Sequence, residues 1–107
     1  KGGIMKLMTK EILKRIPPLY STEDVDAKDK IIHVKFFTPW HKWTWYAVEY
    51  DPTDKQFFGY VKGDYDEWGY FSLKELEEIE GPMGLKIERD RYFPRQKMSV
   101  ILNGKEV

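Results

Sequence analysis

The sequence predicts an α+β domain, an antiparallel meander sheet of four to five strands with two short helices. Three observations carry this reading. Stretches rich in β-branched and aromatic residues follow one another from Ile31 to Phe71 with only short, turn-forming connections between them, and strands joined so tightly pair antiparallel. The stretch Thr38–Asp51, TPWHKWTWYAVEYD, holds three of the four tryptophans and alternates in its second half, which makes it the strand the others lie beside. Ser72 and Glu75 then stand three apart ahead of Leu76 and Ile79, the signature of a capping box and a helix.

The elements follow in order. Thr9 is placed to cap a short helix over Lys10–Ile16, with Met8, Ile12, Leu13 and Ile16 on one face. Pro17 and Pro18 end it, because proline offers no amide and restricts the residue before it. Leu19–Lys30 is polar and reads as a loop with a single turn around Asp24–Asp29. Ile31–Phe37 is a strand that Pro39 ends, and Trp43–Tyr50 is the next. Asp51-Pro52-Thr53-Asp54 is a turn leading to a strand over Gln56–Val61. A second tight connection, Lys62–Asp66, leads to Glu67–Phe71. The helix after Ser72 buries Leu73, Leu76 and Ile79, and Gly81-Pro82 stops it. Three acids, Glu77, Glu78 and Glu80, crowd its negative end, a strain that Arg89 or Arg91 would relieve by folding back. Leu85–Tyr92 is a fifth, edge strand, and Met98–Leu102 reads equally as a strand or a short helix.

Loop centres at Thr53 and Asp64 set a register. Ala47 then faces Gly59, Val48 faces Phe58, Gly59 faces Gly69 and Tyr60 faces Trp68. Side chains alternate between the faces of a sheet. One face carries Tyr46, Val48, Phe58, Tyr60, Trp68 and Tyr70, with Ile32, Val34 and Phe36 joining it. The other carries Ala47, Gly59 and Gly69 in a row bordered by Trp45, Phe57, Val61 and Phe71. Glycine inside a strand marks the close approach of a backbone or ligand, so this row is a candidate groove. The plainer alternative is a helix or an indole ring packed over it.

Composition bounds the rest. At 107 residues the chain fits one domain spanning 1–107, with Lys1–Ile4 read as an extension ahead of a start at Met5 and 94–107 as a tail of open structure. Hydrophobic residues make up 41% and aromatic residues 16%, which excludes a disordered chain. Eighteen basic residues balance eighteen acidic ones, so the overall field of a strong duplex-DNA binder is missing. The acids nevertheless gather between Asp64 and Glu80, where Lys74 is the only base. Bases gather in Met5–Tyr20 and Lys86–Lys97. With no cysteine, disulfides and thiol catalysis are excluded. No apolar run approaches the ~20 residues that span a bilayer, and a cytoplasmic setting without membrane contact is the expectation.

Four constellations carry chemistry. Trp40, His41, Lys42 and Trp43 lie between two strands, where aromatic rings beside basic groups would stack on unpaired bases and hold phosphates. Against that stands a purely structural reading, in which the indoles fold over the core. Glu88-Arg89-Asp90-Arg91 alternates charge, either as an ion-paired edge strand or as an arginine pair offered to phosphate. Asp64, Asp66 and Glu67 are the acids that would serve a metal-dependent nuclease, but their spacing matches no metal loop. Glu77, Glu78 and Glu80 offer an acidic face to a partner protein. His33 sits mid-strand and reads as a structural residue. No nucleophile–base–acid constellation, phosphate loop or dinucleotide fingerprint is present, so no catalytic residue, metal site or cofactor is assigned.

The runs IPPLYSTEDV, KFFTPWHKWTWYAVEYD, FFGYVKGDYDEWGYFSLKELEEIEGPMGL and IERDRYF resemble the bacterial family known as domain of unknown function 2958, over about Met5–Phe93. Its members are short proteins frequent on plasmids, phages and conjugative elements. The resemblance implies a role in mobile-element biology and carries over no catalytic residue. The leading expectation is a non-enzymatic accessory protein of a mobile element that contacts single-stranded nucleic acid through Trp40–Trp43, with help from Arg89 and Arg91. The alternative is an interaction module or inhibitor of host defence that uses the acidic face. A metal-dependent single-stranded DNA nuclease comes third.

Overall fold

The computed structural model describes residues 6–106; the expectation for Lys1–Ile4 lies outside them. Helix α1, Lys10–Arg15, starts where the Thr9 hydroxyl accepts the Ile12 amide at 3.2 Å. After the two prolines the chain is pinned to the sheet, since the Tyr50 amide donates to the Pro17 carbonyl at 2.9 Å. A single 3-10 turn, Ala27–Asp29, falls within the stretch expected to hold one. The strands are β1 Ile31–Ile32, β2 Val34–Phe37, β3 Thr44–Asp51, β4 Gln56–Lys62 and β5 Asp66–Ser72. Helix α2, Leu73–Glu78, begins at the anticipated cap, with the Ser72 hydroxyl accepting the Glu75 amide at 3.1 Å. The expected edge strand over Leu85–Tyr92 is only two residues long, β6 Glu88–Arg89, behind a 3-10 turn at Pro82–Gly84. Strand β7, Gln96–Lys97, runs directly into helix α3, Met98–Leu102.

The main sheet has the order β5-β4-β3-β2-β6 with antiparallel pairs. Strands β2 to β5 form the meander, and β6 returns after α2 to pair with the outer side of β2. Strands β1 and β7 form a small ribbon of their own. The predicted pairs Ala47–Gly59, Gly59–Gly69 and Tyr60–Trp68 are all present.

Three expectations are corrected. Phe58 faces Glu49 rather than Val48, because a bulge between Ala47 and Glu49 leaves Val48 as the extra residue. Val34 and Phe36 lie on the Ala47 side, not the Tyr46 side. Strand pairing is interrupted at His33, whose amide donates to the same residue, Ala47, that Val34 faces. The alternation therefore resets, and only Ile32 stays with Tyr46. Finally, the described residues contain three short α-helices rather than two.

That third helix explains the layering. On one face Leu7, Met8, Ile12 and Ile16 around α1, with Leu73 and Leu76 of α2, cover Trp45, Ala47, Phe57 and Phe71. On the other, Met98 and Ile101 of α3 cover Ile32, Tyr46 and Val48. Strand β3 lies between the layers, and every residue from Trp45 to Tyr50 is buried. One of these is a carboxylate. Glu49 accepts the Tyr20 amide at 2.8 Å, the Thr22 amide at 3.1 Å and the Thr22 hydroxyl, which clamps the long loop onto the sheet. Buried charge persists only when satisfied in this way. Among the described residues, no helix is long and apolar enough to cross a membrane.

Candidate functional site: a tryptophan cleft beside an acidic helix

The connection between β2 and β3 is a tight loop closed on Thr38. Its amide donates to the Trp43 carbonyl at 3.1 Å, its hydroxyl accepts the Trp43 amide at 3.1 Å, and its carbonyl accepts the His41 amide at 3.3 Å. Two indoles are thereby held at fixed positions over the sheet end. Trp40 lies flat against Gly81, where a β-carbon would come within 2.4 Å of the ring. Trp43 covers Gly63 in the same manner, at 2.5 Å. Both rings are half-buried and pack against the core that includes Trp45, while His41 and Lys42 are exposed.

The rings do not close the surface. Thr38, Trp40, His41, Trp43, Trp45 and Ile79 line an open cavity of about 390 Å3 with a mainly apolar wall. Trp43 and Trp45 stand 5.8 Å apart within it, tilted by 34°. A second cavity, about 420 Å3, is lined by Trp45, Phe71, Glu75, Leu76, Glu78 and Ile79. Trp45 and Ile79 belong to both, so the cavities are neighbours with a common wall. Glu75 and Glu78 stand one helical turn apart on α2, which puts both carboxylates on the side of the second cavity.

The other acids of this face are placed less directly. Glu77 is exposed on α2 and does not line either cavity. Glu80 bridges to Lys86, with an ion pair at 3.9 Å, so a lysine from the following turn relieves the crowded end of the helix. Lys74 lies 3.8 Å from Glu78, an exposed pair that adds little stability.

The remaining candidates are dispersed. Arg89 and Arg91 line a third, polar cavity of about 300 Å3, which shares no lining residue with the tryptophan cleft. Asp64, Asp66 and Glu67 are exposed at the β4–β5 hairpin, and no group of three or more metal-binding side chains occurs among the described residues. In the row Ala47, Gly59, Gly69, the first two are buried. A β-carbon on Gly59 would sit 1.9 Å from the Tyr46 carbonyl oxygen, so the strand backbone itself fills that space. A β-carbon on Gly69 would meet nothing within 4 Å. Burial, assisted by the charges of Arg95 and Arg15, lowers the pKa of His33 from 6.5 to about 4, so this imidazole is neutral at pH 7.

Thr38, Trp45, Glu75 and Ile79 line the cavities without being among the binding residues the sequence predicts. In the sequence Glu75 reads as a capping partner and Trp45 as a border of the glycine row. The i, i+3 spacing of Glu75 and Glu78 was the available signal; the join with Trp45 depends on how α2 folds back over the sheet.

A family model described as Protein of unknown function (DUF2958) matches residues 7–104. No curated protein and no solved structure matches the chain.

Proposed function

This chain belongs to the DUF2958 family, and on that premise we propose that it is a non-enzymatic binding module that seats a short apolar and basic segment of a partner protein in its paired cavities. The observation that carries this reading is the shared wall: an apolar cleft of three tryptophans opens beside a cavity bearing Glu75 and Glu78. Tryptophan is enriched where binding energy concentrates. A large apolar side chain would fill the first cavity, and a lysine or arginine placed beside it would meet the carboxylates of the second. The indoles also attract cations over their faces. An acidic flank repels phosphates, which weighs against nucleic acid at the same place. The role in mobile-element biology that the family resemblance implies would make a host protein the natural partner and the cytoplasm the natural setting. Inhibition of a host defence protein is one form this accessory role would take.

A second reading keeps its own support. His41 and Lys42 are exposed on the loop that holds Trp40 and Trp43, so a single-stranded nucleic acid would find rings and a cation together there.

One set of titrations separates the two. Tryptophan fluorescence is followed against a peptide alternating leucine and arginine, against its leucine–glutamate counterpart, and against labelled oligothymidine. The proposal expects saturable binding of the basic peptide alone, weakened about tenfold or more by Glu75→Lys with Glu78→Lys. Salt-sensitive binding of oligothymidine, lost in Lys42→Ala and unaffected by the glutamate reversals, would replace it with the second reading.

A further inference from the structure

The third cavity lies apart from the tryptophan cleft, and its chemistry differs. It is bordered by Arg15 at the end of α1, His33 at the break between β1 and β2, and Arg89, Asp90 and Arg91 of the β6 region. Three guanidinium groups from two distant parts of the chain thus meet at one concave surface of about 300 Å3. Arginine presents a planar fork of donors that matches the oxygens of phosphate.

The lining holds three arginines and two acids. Glu11 and Asp90 are the acids of the lining. Asp90 already accepts the Tyr92 amide at 3.0 Å. Arg15 spends one donor on the His33 carbonyl at 3.1 Å, and Arg89 donates to the Lys6 carbonyl. Among the described residues, neither Arg15 nor Arg91 forms an ion pair with a carboxylate. Burial, and secondarily the charge of Arg91, lowers the pKa of Arg89. Beside them lies an imidazole 92% removed from solvent, whose Nδ1 is buried and has no hydrogen-bond partner among the described residues. A buried polar atom left in this state is rare in a folded protein and costly.

We propose that this cavity is a binding site for a phosphomonoester dianion, held by Arg15 and Arg91 as the principal ligands with Arg89 adding positive charge and His33 forming the polar floor. A phosphate group gives the unoccupied donors of Arg15 and Arg91 acceptors of matching geometry. The volume is roughly ten times the ~30 Å3 that a water occupies in the liquid, so part of the group carrying the phosphate is accommodated as well. No chemical step is implied; the site binds.

The test uses the full chain and observes the His33 ring by heteronuclear NMR during titration with inorganic phosphate at constant ionic strength. At pH 8, where phosphate is a dianion and the ring is neutral, phosphate is expected to shift the His33 ring signals in a saturable manner. Arg91→Gln, an exposed position, is expected to weaken binding about tenfold or more without altering the melting temperature. Arg15→Gln is expected to weaken it as well, and Arg15→Lys to restore part of the loss. A second arm compares adenosine with adenosine 5′-monophosphate and methyl phosphate. Both phosphates binding, and adenosine failing to bind, supports the site; tighter binding of the nucleotide than of methyl phosphate identifies a nucleotide as the carrier. Equal response to chloride at matched ionic strength, binding of adenosine alone, or phosphate binding unchanged in both Arg91→Gln and Arg15→Gln would overturn it.

Discussion

A neutral imidazole surrounded by cations ties the stability of this fold to pH. His33 has a pKa of about 4 in the folded chain and 6.5 ordinarily. As pH falls below 6.5 the unfolded chain takes up a proton that the native chain refuses, so stability declines through that window and the loss is complete below about 4. A shift of this size corresponds to about 3 kcal/mol. Urea unfolding at pH 7.5 and 4.5 should show a decline in the native protein that exceeds the decline in His33→Gln by about 2–3 kcal/mol. The mid-strand position of His33 is enough to mark the residue itself as structural. Its neighbours were not legible: Arg15 and Arg95 lie 18 and 62 positions away, and no local pattern announces them. Glu49 makes the same point. A glutamate in an alternating strand normally faces water, and only the loop amides of Tyr20 and Thr22 make its burial tenable. The indoles of Trp40 and Trp43 are both structural and accessible, since they cover glycines and yet line a cavity.

At the scale of elements, two glycines in one row have opposite duties. Gly59 has the carbonyl of Tyr46 where a β-carbon would go, while Gly69 has open space. Gly59→Ala forces two strands apart and should cost about 3 kcal/mol or prevent folding. Gly69→Ala should be neutral or stabilising by roughly 0.5–1 kcal/mol, because alanine loses less backbone entropy than glycine. Thermal unfolding of the two variants side by side tests the contrast. Pairing across this row was readable because hairpin loops fix their own register. The bulge at Val48 and the break at His33 were not, because each adds a residue without altering the apolar pattern. Helix caps were the most legible feature: Thr9 and Ser72 act as their side chains dictate. The third helix escaped assignment because MSVIL fits a strand as well as a turn of helix, and packing against Tyr46 decides the matter.

For the whole molecule, the decisive feature is that the central sheet is covered on both faces. α1 and α2 lie on one side and α3 on the other, so the short C-terminal helix is as much a part of the interior as the helix at the other end. Met98, with no exposed surface, should therefore cost about 2–5 kcal/mol when replaced by alanine, the same range as Ile12→Ala on the opposite layer. Equilibrium denaturation of both variants checks this, and a negligible loss for Met98→Ala would show that the second layer is dispensable. The α+β class and the meander were legible from strand length and loop length. The return of β6 to the far side of β2 was not, nor was the meeting of α2 with the tryptophan loop, since both depend on contacts across half the chain. The candidate site is assembled by the meeting of α2 with the tryptophan loop, which is why its aromatic half could be named from sequence and its acidic half only in part.

The unpaired residue in the middle of β3 also bears on how this hairpin tolerates change in length. Ala47 keeps Gly59 opposite it and Glu49 keeps Phe58, with Val48 alone facing no partner. Excising Val48 would leave every cross-strand neighbour where it is and straighten the strand. The deletion would then forfeit one buried valine side chain, about 1.5–3 kcal/mol, in place of the wholesale inversion that shortening a regular strand brings. The centre of the sheet, ordinarily the least forgiving place for an indel, here carries a spare position.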